Sequence, residues 1–304
     1  MSGNRNPGDR LKPVTGGVQA FVTATTIEDA VAAIAAGARP VAGGTDLVVG
    51  ARAGKSTMPE SIVAIHRLAE LRGVESLGDE GLRLGALASH AQIAASDDVR
   101  TRFTALSDAC AIVGSHATRA QGTVGGNLMN ASPAMETGGP LVCFGASATL
   151  RSPSGIRSVA VEDLWAGPGQ TTAHPDELLL GIDVPAPADG TGSAYLRLEY
   201  RRQMEIAVVG VTAVVTVADG VVTDARIAMT ALSPTIRRVP DAEAALVGSD
   251  GGATAIDAAG AAVAAAATPI SDVRASAEYR RSMAAVIARR AIETALSRAR
   301  GEKA

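Results

Sequence analysis

Pro40-Val-Ala-Gly-Gly-Thr-Asp-Leu47 and Gly122-Thr-Val-Gly-Gly-Asn127 are the two stretches on which the fold turns. Each carries two adjacent glycines and a threonine. Adjacent glycines admit positive φ and let the backbone approach a ligand closely. Successive N–H groups in such a turn can enclose an anion, and each hydrogen bond to a charged group contributes about 1.5–3 kcal/mol. Two loops of this kind could hold a diphosphate, with the hydroxyls of Thr45 and Thr123 as further donors. The competing reading, that each Gly-Gly is only a tight turn, is weakened by the repetition of the pattern.

Outward from the first loop, Arg39–Val41 reads as a short strand. Before it, Thr25 and Glu28 fit a capping box for a helix that runs to Ala36 and stops at Gly37. The second loop sits in a long stretch, 114–140, that shows neither helical nor strand period. Irregular segments of that length inside a compact domain are uncommon and usually functional. Between the loops, Ile62–Ile65 reads as a buried strand. Val74–Leu77 and Leu82–Leu84 read as a hairpin around Gly78-Asp79-Glu80-Gly81, and Ser89 as the cap of a short helix over 90–95. A helix over 103–112 follows. A strand from Ala148 and the run Glu177-Leu-Leu-Leu-Gly-Ile-Asp-Val-Pro185 close this half, and 185–192 reads as a linker. Beyond it, Tyr195–Tyr200 precedes two β-rich runs joined at Asp219-Gly220, a strong hairpin signal. The remainder is Ala-rich and helical, with breaks at Pro240, Gly248–Gly252 and Pro269. Its last helix carries Met283, Ile287, Ala291 and Ala295 on one face.

The 304 residues suit about two domains. Aromatic residues make up 2% of the chain, so the core must be aliphatic and single-stranded nucleic acid lacks stacking platforms. A net charge of −3, with acidic and basic residues interspersed, argues against a phosphate-neutralising surface. Two cysteines, Cys110 and Cys143, are too few for a disulfide framework, a four-thiolate cluster or a Cys-rich zinc site, and fit a reducing, cytoplasmic compartment. The longest aliphatic stretch, Ala207–Ala218, falls short of the ~20 residues of a membrane span. Residues 1–16 read as a flexible polar arm without a signal peptide.

Other motifs carry little. No G-x-G-x-x-G opens a helix after a strand. Gly50-Ala-Arg-Ala-Gly-Lys-Ser56 is one residue short of a phosphate-binding P-loop. His66, His90, His116 and His174 form no metal-ligand pattern. Glu136, near the second loop, is either a solvated carboxylate or an acceptor for a sugar hydroxyl. Arg197, Arg201 and Arg202 are either a solvated edge or an anion contact.

With these residues in view, the chain resembles the FAD-binding (medium) subunit of the molybdenum hydroxylases, the family of xanthine, carbon monoxide, nicotine and aldehyde dehydrogenases. The match runs from about residue 18 to 300. PVAGGTDL at 40–47 and GTVGGN at 122–127 look like the two FAD loops. ASPAME at 131–136, PDELLLGI at 175–182, Tyr195-x-Arg197-x₃-Arg201-x₃-Glu205-Ile-Ala and LSPTIRR at 232–238 resemble further family segments. The resemblance implies an α+β fold: a bilobal FAD-binding domain of the vanillyl-alcohol-oxidase and cell-wall-reductase type over 17–188, with lobes at about 17–72 and 73–188. A smaller α+β domain, an antiparallel sheet packed on helices, would occupy 189–304.

It also implies the site. Val41, Ala42, Gly43, Gly44, Thr45, Asp46 and Leu47, with Thr123, Val124, Gly125, Gly126 and Asn127, would hold the FAD diphosphate. Glu136 would bind a ribose or ribityl hydroxyl, and Val113, Leu179 and Arg197 would line the flavin. No side chain acts as acid, base, nucleophile or metal ligand. The implied partners are a large subunit carrying molybdopterin–molybdenum and a small subunit carrying two 2Fe–2S clusters, assembled as a dimer of heterotrimers. Electrons would pass from the clusters to FAD and on to an external acceptor. Arg197 stands where the family usually has Lys, and Met135-Glu136 where a small residue and Asp are common. Thr45-Asp46 replaces the His-Ser of carbon monoxide dehydrogenases, which favours a xanthine-like, N-heterocyclic or aldehyde substrate over carbon monoxide. A carbon monoxide dehydrogenase subunit, a stand-alone flavin oxidoreductase of the same fold and a non-enzymatic assembly subunit are the alternatives.

Overall fold

The computed structural model describes residues 17–54 and 56–302. The polar arm expected at 1–16 lies outside them. The described residues are α+β and build three aliphatic cores. The first is a small parallel sheet in which Ser61–Ala64 lies between Ala20–Thr23 and Arg39–Val41. Helix Ile27–Ala35 packs on it through Ala30, Val31 and Ile34. Its capping box is one residue later than the sequence suggested. Thr26 is the extended N-cap and exchanges hydrogen bonds with Asp29. Glu28 instead reaches Arg151 at 2.8 Å. Leu47–Arg52 forms a short helix that contains Gly50, so the P-loop-like stretch is no phosphate loop.

The second core is covered by a five-stranded antiparallel sheet in the order Val74–Ser76, Gly81–Gly85, Leu178–Pro185, Ser147–Ser152, Gly155–Ala160. The expected hairpin around 78–81 is its first pair. Ser89 caps helix His90–Ala95 through a reciprocal box with Gln92, and helix Thr104–Ile112 follows. The segment 114–140, expected to be irregular, contains three six-residue helices: His116–Gln121, Val124–Met129 and Gly138–Cys143. Side chains of Ser115 and Thr123 cap the first two. Helices this short show no period, and their glycines carry low intrinsic helix propensity, so packing and capping decide them. Gly125 shows the packing. A β-carbon there would lie 2.6 Å from the Ala86 carbonyl oxygen.

After the coil at 186–190, Thr191–Leu198, Val209–Ala218, Val221–Thr230 and Arg237–Arg238 form an antiparallel sheet. Asp219 (φ 50°) and Gly220 (φ 79°) make the expected hairpin turn. Pro240 stands at the first turn of a helix, Pro240–Leu246, so it starts an element as well as separating two. Side chains alternate across a strand, and this sheet uses both faces. Ala194, Val211, Ala213, Ile227 and Met229 pack on helices Ala253–Ala266 and Ala277–Ala299. Tyr195, Val214 and Ala228 face the second core. The long helix crosses so closely that a β-carbon on Gly192 would lie 2.2 Å from the Ala299 nitrogen. Among the described residues, no helix is long and apolar enough to cross a membrane.

Candidate functional site

The first glycine loop leaves the small parallel sheet at Val41, whose carbonyl accepts from the Ile65 N–H at 3.0 Å. Ala42 and Gly43 follow, and Gly44 takes φ +69°. Asp46 then occupies the N-cap of Leu47–Arg52 without a capping bond from its side chain. The carbonyls of Gly44 and Asp46 accept from Val48 and Gly50. The N–H groups of Gly43, Gly44, Thr45, Asp46 and Leu47 donate to no acceptor among the described residues. A run of unpaired amides is suited to receive an anion, and Gly43 of this run lines a cavity.

The second loop differs in kind. The amides of Val124, Gly125, Gly126 and Asn127 already donate to Ala88 O (2.9 Å), Ala86 O (3.0 Å), Thr123 Oγ1 (3.1 Å) and Thr123 O (2.9 Å). They form the first turn of a helix docked on the segment after Gly81–Gly85, so the expected second row of free donors is absent. Gly125 and Gly126 serve packing and capping. What this segment offers a ligand is Thr123, whose hydroxyl proton remains available, and its position. Gly43 lies against Gln121, where a β-carbon would sit 2.0 Å from the Gln121 carbonyl oxygen. A β-carbon on Gly122 would sit 3.4 Å from Thr45 Oγ1. The two loops thus converge. Beside them opens a cavity of about 420 Å³ lined by Ala42, Gly43, Arg72, Gln92, Gln121 and Thr123, among others.

Glu136 is buried and meets Arg197 across the boundary between second core and C-terminal sheet, with Oε1 2.5 Å from Nη1. Their side chains are 8% and 1% exposed. Arg197 is fixed further by Glu199, which accepts from Nε at 2.7 Å, and by the Glu205 carbonyl at 3.3 Å. Arg197 and Glu136, two of the positions that depart from the pattern of the resembled family, therefore meet in one contact. Burial pushes the Glu136 carboxyl up to about 7, against the pull of Arg197 and with a push from Asp46. Burial raises the Asp46 carboxyl as well. A second cavity of about 340 Å³ is lined by Asp108, Ile112, Tyr195, Arg197, Glu199 and Arg298, among others.

Val113 caps helix Thr104–Ile112 next to this second cavity. Leu179 does not reach either cavity. It is 4% exposed, pairs with Leu150 and belongs to the second core. His90 is buried behind Gly122, and burial beside Arg119 lowers its pKa to about 4, so its imidazole is neutral. Arg72 and Gln92 line the first cavity although no sequence signal points to them, and His66, which the sequence gives no ligand pattern, lines it too. Tertiary contact brings them there, and no local motif marks them. Among the described residues no cluster could hold a metal ion.

With this geometry established, comparison with known proteins places it. Residues 16–187 match the model of the FAD binding domain in molybdopterin dehydrogenase. Residues 194–295 match the CO dehydrogenase flavoprotein C-terminal domain. The chain is 33% identical to the carbon monoxide dehydrogenase medium chain of Afipia carboxidovorans, over 86% of this chain and 90% of that one. It is 28% identical to the xanthine dehydrogenase FAD-binding subunit of Escherichia coli O157:H7, over 92% and 96%. Its structure superposes on reconstituted CO dehydrogenase from Oligotropha carboxidovorans with a TM-score of 0.89 at 31% identity, covering 93% of this chain and 99% of that one.

Proposed function

Because the chain belongs to the FAD-binding medium subunits of the molybdenum hydroxylases, we propose that it binds FAD between its two glycine loops and passes electrons from 2Fe–2S clusters of a small subunit to an external acceptor. The observation that carries this reading is the meeting of Gly43 with Gln121 beside a row of unpaired amides. Diphosphate oxygens need such donors, and the cavity next to the loops gives room for them. FAD, when bound, supplies the redox chemistry. This chain supplies binding, orientation and electrostatics.

In this assignment the amides of Gly43–Leu47 and the Thr123 hydroxyl hold the diphosphate. Val41 and Ala42 shape the entrance. Val124, Gly125, Gly126 and Asn127 act indirectly, by fixing Thr123. Glu136 meets a sugar hydroxyl, and Val113 and Arg197 face the flavin. Leu179 supports the second core beneath the site. The large partner would carry molybdopterin–molybdenum and hydroxylate the substrate, in a dimer of heterotrimers. Two buried free thiols support a reducing cytoplasm.

The substrate lies on the partner, and similarity divides two readings. Thr45-Asp46 favours a xanthine-like, N-heterocyclic or aldehyde substrate, whereas the 33% identity to a carbon monoxide dehydrogenase medium chain favours carbon monoxide. Purification of the native complex tests the proposal. A yellow preparation containing a large and a small second chain is expected. A colourless, solitary chain would overturn it, and assays with carbon monoxide and with xanthine would separate the two substrate readings.

A further inference from the structure

We propose that Arg72 is the cation that anchors the nucleoside-diphosphate half of the dinucleotide, and that it makes the site prefer FAD to unphosphorylated flavin. The inference rests on the FAD reading above but uses a residue outside the glycine loops.

An anion entering the site has need of a free cation. Asp46 stands within the amide row, at the N-cap of Leu47–Arg52. A diphosphate entering this region meets negative charge, and Arg197 is already engaged by Glu136 and Glu199. Among the described residues, Arg72 is the one permanently charged side chain lining the first cavity, which it shares with Ala42, Gly43 and Thr123.

Its hydrogen bonding leaves it available. One terminal nitrogen, Nη2, donates to the His66 carbonyl. Its Nε and Nη1 donate to no acceptor among the described residues, and no carboxylate pairs with it there. Arg83, Arg151, Arg157, Arg238 and Arg298, by contrast, all sit on acids. The His66 contact aims the guanidinium without neutralising it.

The backbone beneath it is fixed. The neighbouring Leu71 carbonyl accepts from the Leu87 N–H at 2.7 Å, and Gly85 packs so tightly that a β-carbon there would lie 2.3 Å from that oxygen. Arg72 therefore hangs from the seam where the parallel sheet meets the antiparallel one. A planar guanidinium with two unused edges matches phosphate oxygens better than an ammonium does. A diphosphate bridging it and the Gly43–Leu47 amides would tie the two lobes together.

The test is titration of the FAD-stripped full-length protein with FAD, ADP and riboflavin, comparing wild type with Arg72→Gln and Arg72→Lys. Losing one charge-assisted contact corresponds to roughly a 10- to 100-fold loss in affinity. Arg72→Gln is expected to weaken FAD and ADP by about that factor and to flatten the salt dependence of ADP binding. Riboflavin binding should not change. Arg72→Lys should recover part of the ADP affinity, and because the side chain is exposed both variants should keep the apo-protein's melting temperature. Equal FAD and ADP affinity in wild type and Arg72→Gln would overturn the inference while leaving the FAD site intact. Failure of the wild type to bind FAD would overturn both.

Discussion

Gly43 and Gln121 touch backbone to backbone, and no side chain can be added at residue 43 without driving the two loops apart. A β-carbon there would stand 2.0 Å from the Gln121 carbonyl oxygen and 2.8 Å from its carbon. Gly43→Ala should therefore separate the loops, destabilise the protein by about 1–3 kcal/mol and lower FAD affinity at least about tenfold. Gly17→Ala, which meets nothing within 4 Å, serves as the control. Denaturant unfolding and FAD titration of the two variants check this. Equal behaviour of both would remove the argument for convergence.

The Glu136–Arg197 pair should show strong coupling. Arg197→Met takes the guanidinium from the buried Glu136 carboxyl, and breaking a buried pair costs about 3–5 kcal/mol. Glu136→Gln in the same chain removes the unpartnered carboxyl. The double variant should be more stable than Arg197→Met alone, with a coupling of at least about 1 kcal/mol in a double-mutant cycle. Strict additivity would show that the two side chains do not act together.

Burial also gives Glu136 a pH signature. Its pKa in the folded chain is raised from 4.5 to about 7, so the native state holds the proton more tightly than the unfolded chain. Its contribution to stability is complete below pH 4.5 and is lost as pH rises through about 7. His90 works in the opposite direction. Its pKa is lowered from 6.5 to about 4, so its contribution is present above 6.5 and lost as pH falls through about 4. Unfolding free energies of wild type and Glu136→Gln should therefore be compared between pH 4.5 and 7.5. The His90 part cancels in the difference, and the wild type should lose more stability with rising pH than the variant. Parallel curves would rule out a proton on Glu136.

Asp108 closes the open edge of strand Thr191–Leu198. It accepts from the Tyr195 N–H at 3.2 Å and from Arg298 at 2.6 Å, while Thr104 and Arg298 both donate to the Ser193 carbonyl. Asp108→Ala should cost about 1.5–3 kcal/mol and speed amide exchange along Thr191–Leu198, with the sheet's other edge unaffected. Unchanged exchange there would show that this staple is not what holds the strand to the second core.

Much of the fold was legible because its signals are local. The Asp219-Gly220 turn, the Ser89 cap and the 74–84 hairpin depend on residues adjacent in sequence, and all three stand. The capping box slipped by one residue because Thr25 and Thr26 both fit the pattern, and only the extended backbone at Thr26 decides between them. The short helices after residue 114 were illegible for a different reason. Their glycines exist to let Gly125 meet Ala86 and Gly139 meet Thr212, and contacts of that range leave no period in the sequence. The site divides the same way. Two loops with paired glycines and a threonine announced themselves, yet the sequence could not show that one keeps its amides free while the other gives them to Ala86, Ala88 and Thr123. Arg72 carried no local mark at all.

The amides of Gly43–Leu47 lack acceptors among the described residues, whereas those of Val124–Asn127 already have them. Hydrogen–deuterium exchange of the full-length protein, with and without saturating FAD, measures this residue by residue. Exchange at 43–47 should slow markedly on FAD binding, with a much smaller change at 124–127. Unaltered exchange at 43–47 in the FAD-bound protein would show that these amides do not meet the diphosphate.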